Sequence, residues 1–400
     1  MSIKKNLLDF LSPPTEAQYS SIRSTKHFFS IDILRGLSAI VILVWHYHHF
    51  YYSHPIKIGD DQPSIDRTVQ PFYNLLIPFY EHGYWAVQLF WIISGFVFAH
   101  VYAGNRVSAR DFAVSRIARL YPLHFITLVA IGILQMISLK LTGGYQVVAT
   151  NDAYHFFLNL FFISHWGFQD AISFNSPIWS VSVEMAIYVV FFFVARGIFS
   201  AGALFPLVIS SFGYVIVNRG TPLWFFAMCA MFFFIGVAIY YVLMRYKDHR
   251  KTIIFLCLVS LFYFGYMYFK GSLAKKPFTN TEGFLLVPIV VFCALIDLSG
   301  KFRRLLTKLK FIGDTTYSTY LWHFPIQVLV LTLTYYFSID SSVFNSHAVF
   351  LIWIVGIFGI GYLSFRFIER PLQIATIEWA KSRFPSAAKT EVASVVRTAI

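Results

Sequence analysis

Residues Phe28 to Phe50 read FFSIDILRGLSAIVILVWHYHHF, an apolar run of membrane-spanning length that holds an arginine, Arg35, and a histidine, His46. Eleven residues on an α-helix turn through about 1100°, or roughly 20° after three full turns, and rise about 16 Å. Arg35 and His46 therefore project from one helical face at two depths. Ionisable side chains are costly in hydrocarbon and, where they occur, face a protein interior or a water-filled cavity. The run reads as a membrane helix lining a reaction path.

Composition fixes the class around it. The 400-residue chain is 57% hydrophobic and 20% aromatic but only 13% charged, too much apolar surface for a water-soluble domain of this size. The net charge of +13 does not point to nucleic acid, because the basic residues collect in short connections between apolar runs. Cys229, Cys257 and Cys293 all sit inside apolar runs, without disulfide or metal-ligand spacing. No metal site is expected.

Runs near 28–50, 84–102, 120–140, 177–198, 202–217, 223–244, 252–270, 284–298, 316–337 and 348–368 predict ten helices. With both termini cytoplasmic, twenty-four of the 32 Lys and Arg fall on the inner side and six on the outer, the asymmetry expected of an even count. The fold expected is an all-α, polytopic membrane bundle. Residues 1–27 form a cytoplasmic segment with no apolar core for a cleavable signal, 28–372 the membrane domain and 373–400 a cytoplasmic tail. The tail is expected to be irregular from Thr376, and Asp60–Gln70 to be an external loop.

Four more segments carry recognisable spacing: Gln88-Leu-Phe-Trp-Ile-Ile-Ser94-Gly95-Phe96, Arg116-Ile-Ala-Arg119-Leu-Tyr121-Pro122, Ser176-Pro-Ile-Trp179-Ser180-Val-Ser182-Val-Glu184, and Tyr317-Ser-Thr-Tyr320-Leu-Trp-His323-Phe-Pro325. With the Arg35–His46 helix, and in this order, they resemble the acyltransferase-3 family, whose opening helix has an arginine, ten residues and a histidine. Met185 stands where the family commonly has a second acid. The resemblance spans about Phe28 to Leu372. It implies a membrane enzyme moving acyl groups, often acetyl, onto cell-surface carbohydrates, with acetyl-CoA as donor substrate and no tightly bound cofactor. It also implies placement in the bacterial inner membrane, and leaves the oligomeric state open.

The residues take roles consistent with that chemistry. His46, near the external end of its helix, is suited to act as general base on an acceptor hydroxyl, or to carry the acyl group itself; His49 is its rival. Glu184, entering from the external side to a similar depth, is expected to orient the imidazole, with Ser180 on its face and Trp179 and Tyr320 in support. Asp32 is spaced to pair with Arg35. Arg35, Arg116, Arg119, Tyr121 and His323 are expected toward the cytoplasm, where the arginines can grip donor phosphates; Arg116 and Arg119 can equally be positive-inside anchors. Ser94 and Gly95 read as packing, and Glu369-Arg370-Pro371 as a charged cap or anchor. Tyr73, Tyr80, Tyr84, Trp85 and Trp166 suit either sugar stacking or an interfacial belt. A sugar transporter is the alternative class, accounting for the buried charges but not for five ordered motifs.

Overall fold

The computed structural model describes residues 27–52, 54–60, 65–102, 108–169, 171–220, 223–271 and 280–383. The expected N-terminal segment, apart from His27, and the end of the tail lie outside them. Among the described residues the fold is all-α, with two isolated β-bridges, Ile56–Tyr145 and Thr150–Ser173, tying loops together. In chain order the helices are α1 (Phe29–His46), α2 (Tyr73–His82), α3 (Trp85–Tyr102), α4 (Ala109–Thr142), α5 (Ala153–Leu160), α6 (Trp179–Ala201) and α7 (Leu204–Asn218). There follow α8 (Trp224–Tyr246), α9 (Arg250–Phe269), α10 (Gly283–Ser299), α11 (Arg303–Asp314), α12 (Thr316–Tyr336), α13 (His347–Ser364) and α14 (Arg370–Arg383).

Each of the ten apolar runs coincides with one of these helices, and among the described residues six helical segments are long and apolar enough to cross a membrane. Their outward faces carry large apolar side chains that water would penalise, such as Phe262 at 79% exposure and Ile352 at 71%. This is a membrane protein.

In lipid, helices associate through close packing and polar contacts rather than through exclusion of water, so small residues decide where backbones meet. A Cβ built on Gly95 of α3 would lie 1.8 Å from the Phe233 carbonyl oxygen, and one on Gly236 of α8 would lie 1.9 Å from that of Ile92. The two glycines let α3 and α8 touch along their backbones. Gly36 and Gly313 do the same for α1 and the amphipathic helix α11, where a Cβ would meet the carbonyls of Ile312 and Asp32.

One start and one stop differ from the sequence reading. Helix α4 begins at Ala109 rather than near 120, capped by Ser108, whose hydroxyl accepts from the Asp111 N–H at 3.0 Å. At 34 residues it is about 51 Å long, well beyond a hydrocarbon core of about 30 Å. Arg116 and Arg119 thus stand on a continuous helix. The start of α1 is capped by another helix: Asp297 of α10 accepts from the Ser30 N–H at 2.9 Å and from its hydroxyl at 2.6 Å. The chain expected to become irregular from Thr376 is helical to Arg383, because a π-helical turn, Phe365–Glu369, carries α13 directly into α14.

Candidate functional site

Helices α1 and α12 both pass from one apolar cluster into a second. Ile42 and Leu321 belong to the first, Leu43 and Phe324 to the second. The polar groups of interest collect along this passage.

A cavity of about 140 Å³ lies between α1, α3, α4, α6 and α12. At roughly 10–15 Å³ for each water-sized position, it holds on the order of ten waters, room for a narrow acyl-bearing arm. Three guanidiniums line it, those of Arg35, Arg116 and Arg119. Asp32 holds Arg35 at 3.3 Å and is itself 2.5 Å from His27. Arg116 rests over the ring of Phe98, 4.9 Å from its centroid, with no carboxylate within ion-pair distance among the described residues. Arg119 meets Glu369 at 2.8 Å.

Glu184 is in this cavity. Its carboxylate faces the hydroxyls of Ser94 and Tyr188, which lie 3.1 Å apart, and the guanidiniums of Arg116 and Arg35. The expected partnership with His46 is not formed. Depth counted from the end of α6 misleads because α6 does not begin at a membrane surface. The turn before it, Ser176–Ile178, is threaded into the bundle, with Asn175 fully buried and donating to the Leu321 carbonyl at 3.1 Å. Glu184 is consequently set deeper, level with Ser94.

His46 meets a different partner. Its Nδ1 is 2.9 Å from Nε2 of His323, and the rings stack at 5.0 Å between centroids. The expectation that His323 lies nearer Arg35 is overturned. Gly313, at the end of α11, packs on the backbone of Asp32 in the first turn of α1, so α11 hands over to α12 beside the start of α1. From there ten residues to His323 rise about 15 Å and fourteen from Asp32 to His46 about 21 Å, a gap that helix tilt and two side chains close.

The hydrogen bonds assign the tautomers. His323 Nδ1 is 2.7 Å from the Tyr320 carbonyl, which only accepts, so that nitrogen carries the proton. Nε2 of the neutral ring then accepts from His46 Nδ1–H, leaving His46 Nε2 as an unprotonated base. Gln327 braces the pair by donating to the His46 carbonyl at 2.8 Å while its own oxygen meets His49 Nδ1 at 3.1 Å. His49 is thus engaged elsewhere.

Tyr320 joins cavity and histidine pair. It lines the cavity, its hydroxyl donates to the Pro177 carbonyl at 2.7 Å and meets the Ser180 hydroxyl at 2.9 Å, and its ring centroid is 5.8 Å from that of His323. Trp179 packs edge-on against Trp91, a cavity residue. Tyr121 and His323 are not among the residues lining the cavity; Tyr121 lies instead beside Phe125 and Phe162. Among the described residues no group of three or more His, Cys, Asp or Glu is disposed to hold a metal ion.

A family model described as an acyltransferase domain matches residues 28–366, most of the chain and all five ordered motifs. The chain belongs to the acyltransferase-3 family. No curated protein and no solved structure gives a significant match. As an acyltransferase-3 protein, this chain is a membrane acyltransferase. Sequence reasoning about the family motifs gave no role to Tyr188 and Gln327 and read Glu369 only as a cap or anchor, whereas all three contact motif residues. Tyr188 alone left a signal, standing four residues after Glu184 and so on the same helical face.

Proposed function

We propose that the protein transfers acetyl from cytoplasmic acetyl-CoA to a hydroxyl of a cell-surface or lipid-linked carbohydrate. In this reading ten helices span the bacterial inner membrane and both termini are cytoplasmic. The observation that supports it most is the juxtaposition of a three-arginine cavity with a histidine pair of defined tautomer, joined through Tyr320.

Arg35, Arg116 and Arg119 bind phosphate oxygens of the donor at the mouth, since guanidinium groups match phosphate geometry, and the pantetheine arm enters the cavity. The acceptor hydroxyl gives its proton to His46 Nε2 as its oxygen bonds to the thioester carbonyl carbon. The C–S bond then breaks, CoA leaves as thiolate, and the proton held on His46 returns to that sulfur or to solvent. His323 accepts from His46 Nδ1–H throughout and so keeps the ring in its basic tautomer. Such acid–base assistance contributes about 10²–10⁴-fold to a rate.

The test is transfer of labelled acetyl from acetyl-CoA to a lipid-linked glycan fraction by purified protein in phospholipid vesicles, beside His46→Ala of equal folding quality. Label in glycan with the wild type and none with the variant is expected. Equal labelling by both removes His46 from its role, and labelling by neither rejects this donor and acceptor pairing.

A further inference from the structure

We infer that Glu369 is a positioning residue for Arg119, set in place by the π-helical turn at the end of α13; the inference rests on the cavity's reading as the donor site. Along α13 the buried positions Ile357, Gly361 and Ser364 follow the ordinary helical step of three or four. The next fully buried position is Glu369, five residues on, whereas Arg366, Phe367 and Arg370 are exposed. That five-residue step is the π turn, closed by the Arg370 N–H donating to the Phe365 carbonyl. The turn brings Ser364 and Glu369 onto one line facing α4 and α12. Pro371, which has no N–H to offer the ladder, follows immediately.

At 2% exposure a carboxylate is costly unless paired on all sides. Glu369 Oε1 is 2.8 Å from Arg119 Nη1, and Oε2 accepts from the Ser318 hydroxyl at 2.6 Å. Ser318 is 3.2 Å from the Ser364 hydroxyl, which accepts from Trp322 Nε1–H at 2.9 Å. The Ser318 hydroxyl has one proton and two acceptors within reach, and the shorter contact, to the Glu369 carboxylate, takes it. That carboxylate is charge-paired with Arg119, whose side chain also lines the cavity. One residue before Ser318 on α12, Tyr317 donates to the Leu120 carbonyl at 2.8 Å and holds α4 in register.

The experiment measures equilibrium binding of CoA and the acetyl-CoA dependence of transfer for wild type, Glu369→Gln and Ser318→Ala in vesicles. Glutamine keeps the volume and still accepts from Ser318, but it does not charge-pair with Arg119. The expected result for Glu369→Gln is roughly tenfold weaker CoA binding and a KM raised by the same factor, with kcat within about threefold. Glu369→Gln built on Arg119→Ala is expected to add nothing further. Unchanged KM in a folded Glu369→Gln, or a fall in kcat alone, overturns the inference. If Glu369→Gln does not fold, Ser318→Ala decides: weaker CoA binding supports the inference and wild-type binding overturns it. Failure of the wild type itself to bind CoA rejects the donor reading instead.

Discussion

His46 and His323, from helices 277 residues apart in the chain, lie with Nδ1 and Nε2 2.9 Å apart and ring planes within 19° of parallel. The proton on His323 Nδ1 is spent on the Tyr320 carbonyl. His46 is therefore the donor within the pair, and its outer nitrogen is the base.

Replacing His323 by phenylalanine keeps a flat ring but removes the acceptor. Transfer is expected to fall by about 10²-fold in kcat with the KM for donor unchanged, since the tautomer of His46 is no longer fixed. A raised donor KM with unchanged kcat would return His323 to donor binding.

Glu184 belongs to the arginine cavity. Glu184→Gln is expected to change acetyl-CoA binding while leaving the rate of ethoxycarbonylation of His46 by diethyl pyrocarbonate at its wild-type value. His323→Phe is expected to change that rate. A His46 whose reactivity follows Glu184 instead would show that the carboxylate reaches it.

Arg116 has an aromatic face beneath it and no carboxylate partner among the described residues, so its charge is available to an anion. Arg116→Ala is expected to raise the donor KM about tenfold, an effect that weakens as salt rises. A purely topological anchor would leave KM untouched.

Gly95 has no room for a methyl group, since its Cβ would lie 1.8 Å from the Phe233 carbonyl. Gly95→Ala forces α3 and α8 apart and is expected to cost about 1–3 kcal/mol or more, read as a lower thermal midpoint in detergent. Ser94→Ala, by contrast, is expected to fold normally.

Asp297→Ala removes the cap of α1. A loss of about 1 kcal/mol is expected, with Asp297→Asn intermediate because its amide oxygen still accepts. Thermal unfolding of the three proteins side by side checks the order.

The membrane class, the ten apolar helices and the family were legible in the chain, because each rests on local information, whereas α2, α5, α11 and α14 were not foreseen. Apolar runs of spanning length set the helices, and the Arg35–His46 spacing set a polar face on α1. The three arginines were likewise visible as charges near one end of their runs. What the chain did not reveal was depth and partnership. His323 was assigned to the donor end and Glu184 to His46 on the assumption that helices start at membrane surfaces. The buried turn Ser176–Ile178 and the packing of Gly313 on Asp32 shift α6 and α12 along their axes. Glu369 read as a terminal anchor because a π turn, one extra residue in a helix, leaves no clear mark in composition yet rotates a side chain from lipid to interior. Sequence determines which residues share a helical face, for that is fixed by 3.6 residues per turn. Which faces meet, and at what height, was decided only by tertiary packing, where small residues and hydrogen bonds between distant segments set how far each helix slides against the next.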